Sequence, residues 1–185
     1  MSGRPAGLVL LDRDGVINED SGEFIKSVRE WRPIRGSVEA IAALHRAGLR
    51  VVVVTNQSGV GRGLYTEDVL LEIHAHMRST IEEAGGALAG IYYCPHLPDA
   101  GCECRKPRVG LLRQVERELG CSLAGVPFVG DRLSDIEAAD VVGARPILVR
   151  TGTGGLTERS LGGRAIEVFA DLRSAARALV SEVAQ

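Results

Sequence analysis

Short runs of β-branched and aliphatic residues alternate along the chain with longer stretches whose apolar positions recur every three or four residues. The runs predict strands over 8–11, 50–54, 89–93, 126–129, 146–149 and 166–169. The stretches predict helices over 37–47, closed by Gly48, and from a Thr66 cap to 84, stopped by Gly85 and Gly86. Further helices are expected over 109–119, ended by Gly120, over 134–142, and after an Asp171 cap. Residues 94–107 read as loop and 152–155 as a turn.

Strands alternating with helices of this length predict an α/β fold, a Rossmann-like three-layer sandwich with a mostly parallel sheet. Ligands of such sheets bind beyond the carboxyl ends of the strands. Asp12 and Asp14 follow the first strand, Thr55 and Asn56 the second, Cys94 the third and Asp131 the fourth. No repeat, low-complexity tract or Pro/Ser linker divides the chain, so 1–185 is expected to be one domain. No large insertion follows Asn18 or Lys106, so no separate cap domain is expected.

Composition narrows the class. With 185 residues, 45% of them hydrophobic and 25% charged, the chain has material for one core and is neither disordered nor collagen-like. A net charge of −2 lacks the basic excess of a protein held by nucleic-acid phosphates or anionic membrane. The apolar runs fall far short of the ~20 residues of a bilayer span, and no charged segment precedes a long apolar one. The expectation is a cytoplasmic protein, with a monomer as the default state.

Three of the four cysteines lie within eleven residues, and the set Cys94-x-His96-x5-Cys102-x-Cys104 has ligand spacing rather than the spread of a disulfide framework. Three thiolates and an imidazole make a closed tetrahedral set for a structural Zn²⁺, which would order this loop and aim the adjoining Arg105 and Lys106. Cys121 reads as a small buried apolar residue.

Four constellations carry chemistry. Asp12-Arg13-Asp14-Gly15 sets two carboxylates where an apolar strand breaks into a glycine turn, an arrangement suited to a divalent ion or simply to a turn and its caps. Thr55-Asn56-Gln57-Ser58-Gly59 ends a buried-type strand in groups able to cradle phosphate oxygens, or is an ordinary strand exit. Lys106 is one of only two lysines among 22 cationic residues, which suggests a point-charge role against a solvated default. Gly130-Asp131 ends a strand where a carboxylate can reach a metal from the side opposite Asp12, while Asp135 is assigned to the first turn of the following helix.

Together, in this order and at strand ends, these motifs resemble those of the haloacid dehalogenase superfamily of Mg²⁺-dependent phosphotransferases. Asp12-Arg-Asp14-Gly-Val-Ile-Asn18, Thr55-Asn-Gln-Ser-Gly59 and Cys104-Arg-Lys-Pro107 are similar to the branch of heptose bisphosphate and histidinol-phosphate phosphatases. The resemblance implies that Asp12 attacks phosphorus, that Asp14 is general acid and base, and that Mg²⁺ lies between Asp12, the Asp14 carbonyl and Asp131. It implies that Thr55, Asn56 and Lys106 hold phosphoryl oxygens, with Gln57 and Ser58 completing the cradle. Arg105 matches the residue that recognises substrate in the heptose enzymes, and Asp20 and Arg132, with Lys26 and Arg62, are further candidates for sugar or distal-phosphate contact. The expected reaction is removal of the 7-phosphate of D-glycero-D-manno-heptose 1,7-bisphosphate, on the way to nucleotide-activated heptose and lipopolysaccharide core. The alternatives are histidinol-phosphate hydrolysis, a non-enzymatic zinc and phosphate-binding module, and a nucleic-acid 3′-phosphatase. His45, His74 and His76 are expected at the surface, and Gly59-Val-Gly61-Arg-Gly63 as a loop rimming the site.

Overall fold

The computed structural model describes residues 7–184; residues 1–6, where a targeting segment would begin, lie outside the described residues. Six strands, β1 (Leu8–Leu11), β2 (Arg50–Asn56), β3 (Gly90–Cys94), β4 (Pro127–Gly130), β5 (Arg145–Val149) and β6 (Glu167–Phe169), form one sheet in the order β3-β2-β1-β4-β5-β6. Every pairing is parallel. The chain winds outward from β1 to β3, then returns to the other side of β1 as β4. The strand order therefore reverses between β1 and β4, where the crossovers part and leave a crevice at the carboxyl ends.

Among the described residues six helices, α1 (Ser37–Arg46), α2 (Glu67–Glu83), α3 (Gly110–Leu119), α4 (Leu133–Val142), α5 (Gly154–Ser160) and α6 (Leu172–Val183), accompany the sheet. Side chains of a strand point alternately to its two faces, and the core divides accordingly. Val9, Leu11, Val51 and Val53 pack with α1, α2 and α6, whereas Leu8, Leu10, Val52 and Val54 pack with α3 and α4. With both faces covered, β2 must be apolar throughout, which is why it reads as Val51-Val52-Val53-Val54 without alternation. The predicted caps form: Thr66 Oγ1 accepts from the Val69 N–H at 3.3 Å and Asp171 Oδ1 from the Ser174 N–H at 2.8 Å.

Three elements differ from the sequence reading. Residues 152–155 do not stay a turn, because Gly154 and Gly155 open α5; a 3-10 turn also forms over Val28–Glu30. Strand β2 continues two residues further than expected, so Thr55 and Asn56 belong to it and are fixed by the sheet. Among the described residues, the crevice is bordered mainly by loop residues, with Thr55 and Asn56 at the end of β2 and Ser134 at the start of α4.

Candidate active site

β1 hands Asp12 directly to the crevice: the Asp12 N–H still donates to Val129 O on β4 at 2.9 Å, as if the ladder had one more rung. The chain then turns sharply, with the Arg13 carbonyl accepting from the N–H groups of Val16, Ile17 and Asn18. Gly15 adopts φ +80°, and a Cβ there would collide with the Asp131 carboxylate, so glycine lets the two motifs meet.

Asp14 is the most heavily bonded carboxylate. Its Oδ1 accepts from Arg13 Nε at 2.9 Å and Nη2 at 2.7 Å and from Asn18 Nδ2 at 2.9 Å, while Oδ2 accepts from Gln57 Nε2 at 2.8 Å. Each donor is braced from behind. Trp31 Nε1 donates to Asn18 Oδ1 at 3.1 Å, Tyr65 donates to Gln57 Oε1 at 3.0 Å, and Arg13 Nη1 lies 3.3 Å from His74 Nε2. Burial alone would raise the pKa of Asp14, but the Arg13 guanidinium and these donors hold it below its ordinary value.

Asp12 has the opposite surroundings. Its Oδ1 accepts from the Arg13 N–H at 2.7 Å and lies 3.0 Å from Lys106 Nζ. Burial, then the neighbouring Asp135 carboxylate, pushes its pKa up to about 8 against the pull of Lys106. Lys106 is itself buried, donating to Val54 O at 2.7 Å and pairing with Asp135 Oδ1 at 2.6 Å. Desolvation works against its charge, yet Asp12 and Asp135 outweigh it and keep the ammonium above its ordinary pKa. Asp135 Oδ2 also accepts from the Arg132 N–H at 3.0 Å, which closes the first turn of α4.

Asp131 follows β4 and is fully buried. Its Oδ2 accepts from the Thr153 N–H at 2.8 Å and hydroxyl at 3.0 Å, and its carbonyl from the Thr157 hydroxyl at 2.7 Å. Among the described residues, its Oδ1 has no hydrogen-bond partner. Burial raises its pKa to about 6. Asp12, Asp131 and Asp135 offer oxygens within 4.8 Å of one another, and Asp135 is already committed to Lys106 and the helix turn. An orphaned oxygen on Asp131 beside a crowded Asp12 is the environment a hard divalent cation fits, and all the donors are oxygens, as Mg²⁺ requires.

The predicted cradle residues meet here, with different partners than expected for two of them. The Asn56 side chain is spent on the Lys106 backbone, donating to its carbonyl at 3.1 Å and accepting its N–H at 3.0 Å. Gln57 binds Asp14 and Thr55 Oγ1. Both amides therefore position other groups, and they line the opening together with Thr55, Ser58, Asp12 and Asp14. The cavity measures about 360 Å³, and Asp20, Arg62, Arg105 and Arg132 stand on its wall. Arg132 pairs with Asp20 at 2.6 Å, Arg62 lies over the Phe24 ring, and one buried nitrogen of Arg105, Nη1, has no partner among the described residues. Lys26 does not line the cavity; it pairs with Glu30 at 3.1 Å.

Beside the cavity, Cys94, His96, Cys102 and Cys104 converge with all four donor atoms within 4.8 Å of one another, and none forms a disulfide. The sulfurs of Cys94 and Cys104 are 3.2 Å apart, and His96 Nδ1 faces both. Such spacing suits the corners of a tetrahedron about one ion. The cluster abuts the rim loop, where the Gly61 N–H donates to Pro95 O at 2.9 Å.

His74 corrects the surface assignment made from sequence. It is buried on α2, whereas His45 and His76 are exposed. The signal was available: Leu70, Ile73, His74, Met77 and Ile81 share one helical face, and His74 sits in that apolar stripe. The Thr151, Thr153 and Thr157 cluster, Tyr65 and Trp31 were also missed, having no motif of their own.

Paired carboxylates, a locked ammonium and a cation-bordered cavity at this switch point define a phosphate-ester hydrolase. The Haloacid dehalogenase-like hydrolase family model matches residues 9–81, and a second, HAD hydrolase-like, model matches residues 103–175. A Pseudomonas aeruginosa protein named D-glycero-beta-D-manno-heptose-1,7-bisphosphate 7-phosphatase is 50% identical over 94% of this chain and 97% of its own length. A protein of the same name from Bordetella bronchiseptica is 46% identical over 95% and 98%. The crystal structure of D,D-heptose 1,7-bisphosphate phosphatase from B. bronchiseptica complexed with magnesium and phosphate superposes with a TM-score of 0.91 at 46% identity, over 95% of this chain and 99% of that one. The chain belongs to the heptose bisphosphate phosphatase family of haloacid dehalogenase-like hydrolases.

Proposed function

We propose that this chain, acting as one unit, hydrolyses the 7-phosphate of D-glycero-β-D-manno-heptose 1,7-bisphosphate. The observation that carries the substrate is the cavity wall: Lys106 lies by Asp12 at the floor, and Arg105, with one unpartnered buried nitrogen, supplies a separate cation for a second phosphate. The 50% identity to a relative named for this substrate, and not for histidinol phosphate, favours it over the histidinol-phosphate alternative.

Asp12 is the nucleophile, its carboxylate attacking phosphorus to form an aspartyl-phosphate as the sugar oxygen departs. Lys106 orients that carboxylate and offsets charge on the phosphoryl oxygens, with Thr55 and Ser58 alongside. Asp14 gives a proton to the leaving oxygen and then takes one from the hydrolytic water. Its donors keep it ionised in the free site, ready for the second role, and an arriving phosphate dianion raises its proton affinity for the first. Asp12, the Asp14 carbonyl and Asp131 would hold Mg²⁺, which supplies positive charge to the phosphoryl oxygens and keeps Asp12 ionised. Cys94, His96, Cys102 and Cys104 would hold a structural Zn²⁺ that steadies the loop leading into Arg105 and Lys106. Free thiols in this cluster suit a cytoplasmic enzyme.

The test is phosphate release with Mg²⁺ from the β and α anomers of the heptose bisphosphate and from histidinol phosphate, with Asp12→Asn as blank. The β anomer is expected to have the highest kcat/KM; preference for histidinol phosphate would overturn the reading. Metal analysis of protein purified without chelator is expected to return one zinc per chain.

A further inference from the structure

His74 is a buried imidazole outside the cavity that the proposed reaction leaves unused. Arginine has no acceptor, so the 3.3 Å contact between Arg13 Nη1 and His74 Nε2 is a hydrogen bond only if Nε2 carries no proton. The ring must be neutral, with its hydrogen on Nδ1. Its surroundings favour that state: burial first, then Arg13 and Arg78, resist protonation, with Asp14 the opposing charge. The Tyr93 ring packs against it at a centroid distance of 5.5 Å and fixes its orientation.

Arg13 has no exposed surface, and its remaining nitrogens, Nε and Nη2, form a fork onto Asp14 Oδ1. A guanidinium is planar and rigid, so fixing Nη1 fixes the direction of the fork. We propose that His74 is a positioning residue for proton transfer: by accepting from Arg13 it aims the guanidinium that aims the Asp14 carboxylate at the leaving oxygen. This rests on the assignment of Asp14 as the proton carrier. The neighbouring supports, Tyr65 through Gln57 and Trp31 through Asn18, fix the same carboxylate from other sides, so His74 completes a three-point mount.

The test compares kcat/KM for the heptose bisphosphate, whose alkoxide must be protonated to leave, with that for p-nitrophenyl phosphate, whose leaving group needs no proton. His74→Phe keeps the ring and removes the acceptor; His74→Gln returns an acceptor near the Nε2 position. In His74→Phe, kcat/KM for the sugar is expected to fall about tenfold or more, within the range of general-acid contributions, while that for the aryl ester changes less than about twofold. His74→Gln is expected to recover most of the loss. Equal falls on both substrates, or no fall on either, would overturn the positioning role. Asp14→Asn separates the two levels. Selective loss there without selective loss in His74→Phe removes His74 alone, whereas no selective loss in Asp14→Asn removes the assignment of Asp14. Should His74→Phe not fold, the tautomer in the wild-type, magnesium-loaded protein decides: ¹⁵N shifts are expected to show a protonated Nδ1 and a bare Nε2, and a protonated Nε2 would overturn the inference.

Discussion

Asp12 and Asp14 leave the same strand two residues apart, Asp12 buried and Asp14 partly exposed, and are held in opposite ways. Asp14 is complete: four donors from three side chains saturate it, and each donor has its own support. Asp12 is unfinished, with one ammonium set against the carboxylates of Asp135, Asp131 and Asp14, and with an unpaired Asp131 oxygen nearby. Buried charge is costly unless paired, so the protein's own donors hold one carboxylate, and the other is the one proposed to take a cation. The difference matches the work proposed for each. A proton carrier needs fixed aim, which protein hydrogen bonds provide; a nucleophile that receives a dianion needs positive charge that is strong and local.

Breaking the unfinished side should produce the largest effect. Asp12→Asn removes the attacking oxygen with almost no change in shape, and kcat is expected to fall by about 10⁴-fold or more while the circular dichroism spectrum and zinc content are retained. Lys106→Met comes next. Loss of the ammonium should lower kcat by about 10³-fold and, by leaving Asp135 buried without its partner, cost roughly 3–5 kcal/mol of stability. Adding Asp135→Asn should recover part of the melting temperature and none of the activity, separating the structural pair from the catalytic one.

Milder changes sharpen the contrast. Thr153→Val frees the second oxygen of Asp131 from its hydroxyl donor, and titration calorimetry is expected to show Mg²⁺ binding weakened by about 10-fold, the range for lost supporting contacts at a metal ligand. The smallest effect concerns acid stability. The pKa of His74 is lowered from 6.5 to about 3 by burial, so below pH 6.5 the unfolded chain takes a proton that the folded chain refuses. The contribution is fully present above pH 6.5 and is lost as pH falls toward 3, by at most about 1.4 kcal/mol per pH unit. His74→Gln has no ring to protonate, and its melting temperature is expected to drop less between pH 6.5 and pH 5.

The unfinished side was legible in the sequence and the complete side largely was not. Asp12 and Asp131 follow strand ends, where topology dictates a ligand crevice, Lys106 stands out as one of only two lysines, and β2 announces itself through four consecutive valines. The mount around Asp14 depends on Trp31, Tyr65 and His74, from a 3-10 turn's edge, a loop and the middle of a helix. Only tertiary folding brings these together, and no spacing marks them. Helix α5 was hidden for a local reason, since a Gly-Gly start reads as a turn until the Thr157 hydroxyl is seen bonded to the Asp131 carbonyl. Asn56 and Gln57 were found by position but not by partner: a sequence shows an amide near a phosphate site without showing what it already holds.

The division of labour between the two carboxylates is tested most directly by trapping the covalent step. Protein turning over the heptose bisphosphate with Mg²⁺ is treated with borohydride, which reduces an aspartyl-phosphate to homoserine, and the peptides are mapped by mass spectrometry. Homoserine at position 12, absent at position 14 and absent without substrate, is the predicted result. Reduction at position 14, or no reduction while phosphate is being released, would contradict it.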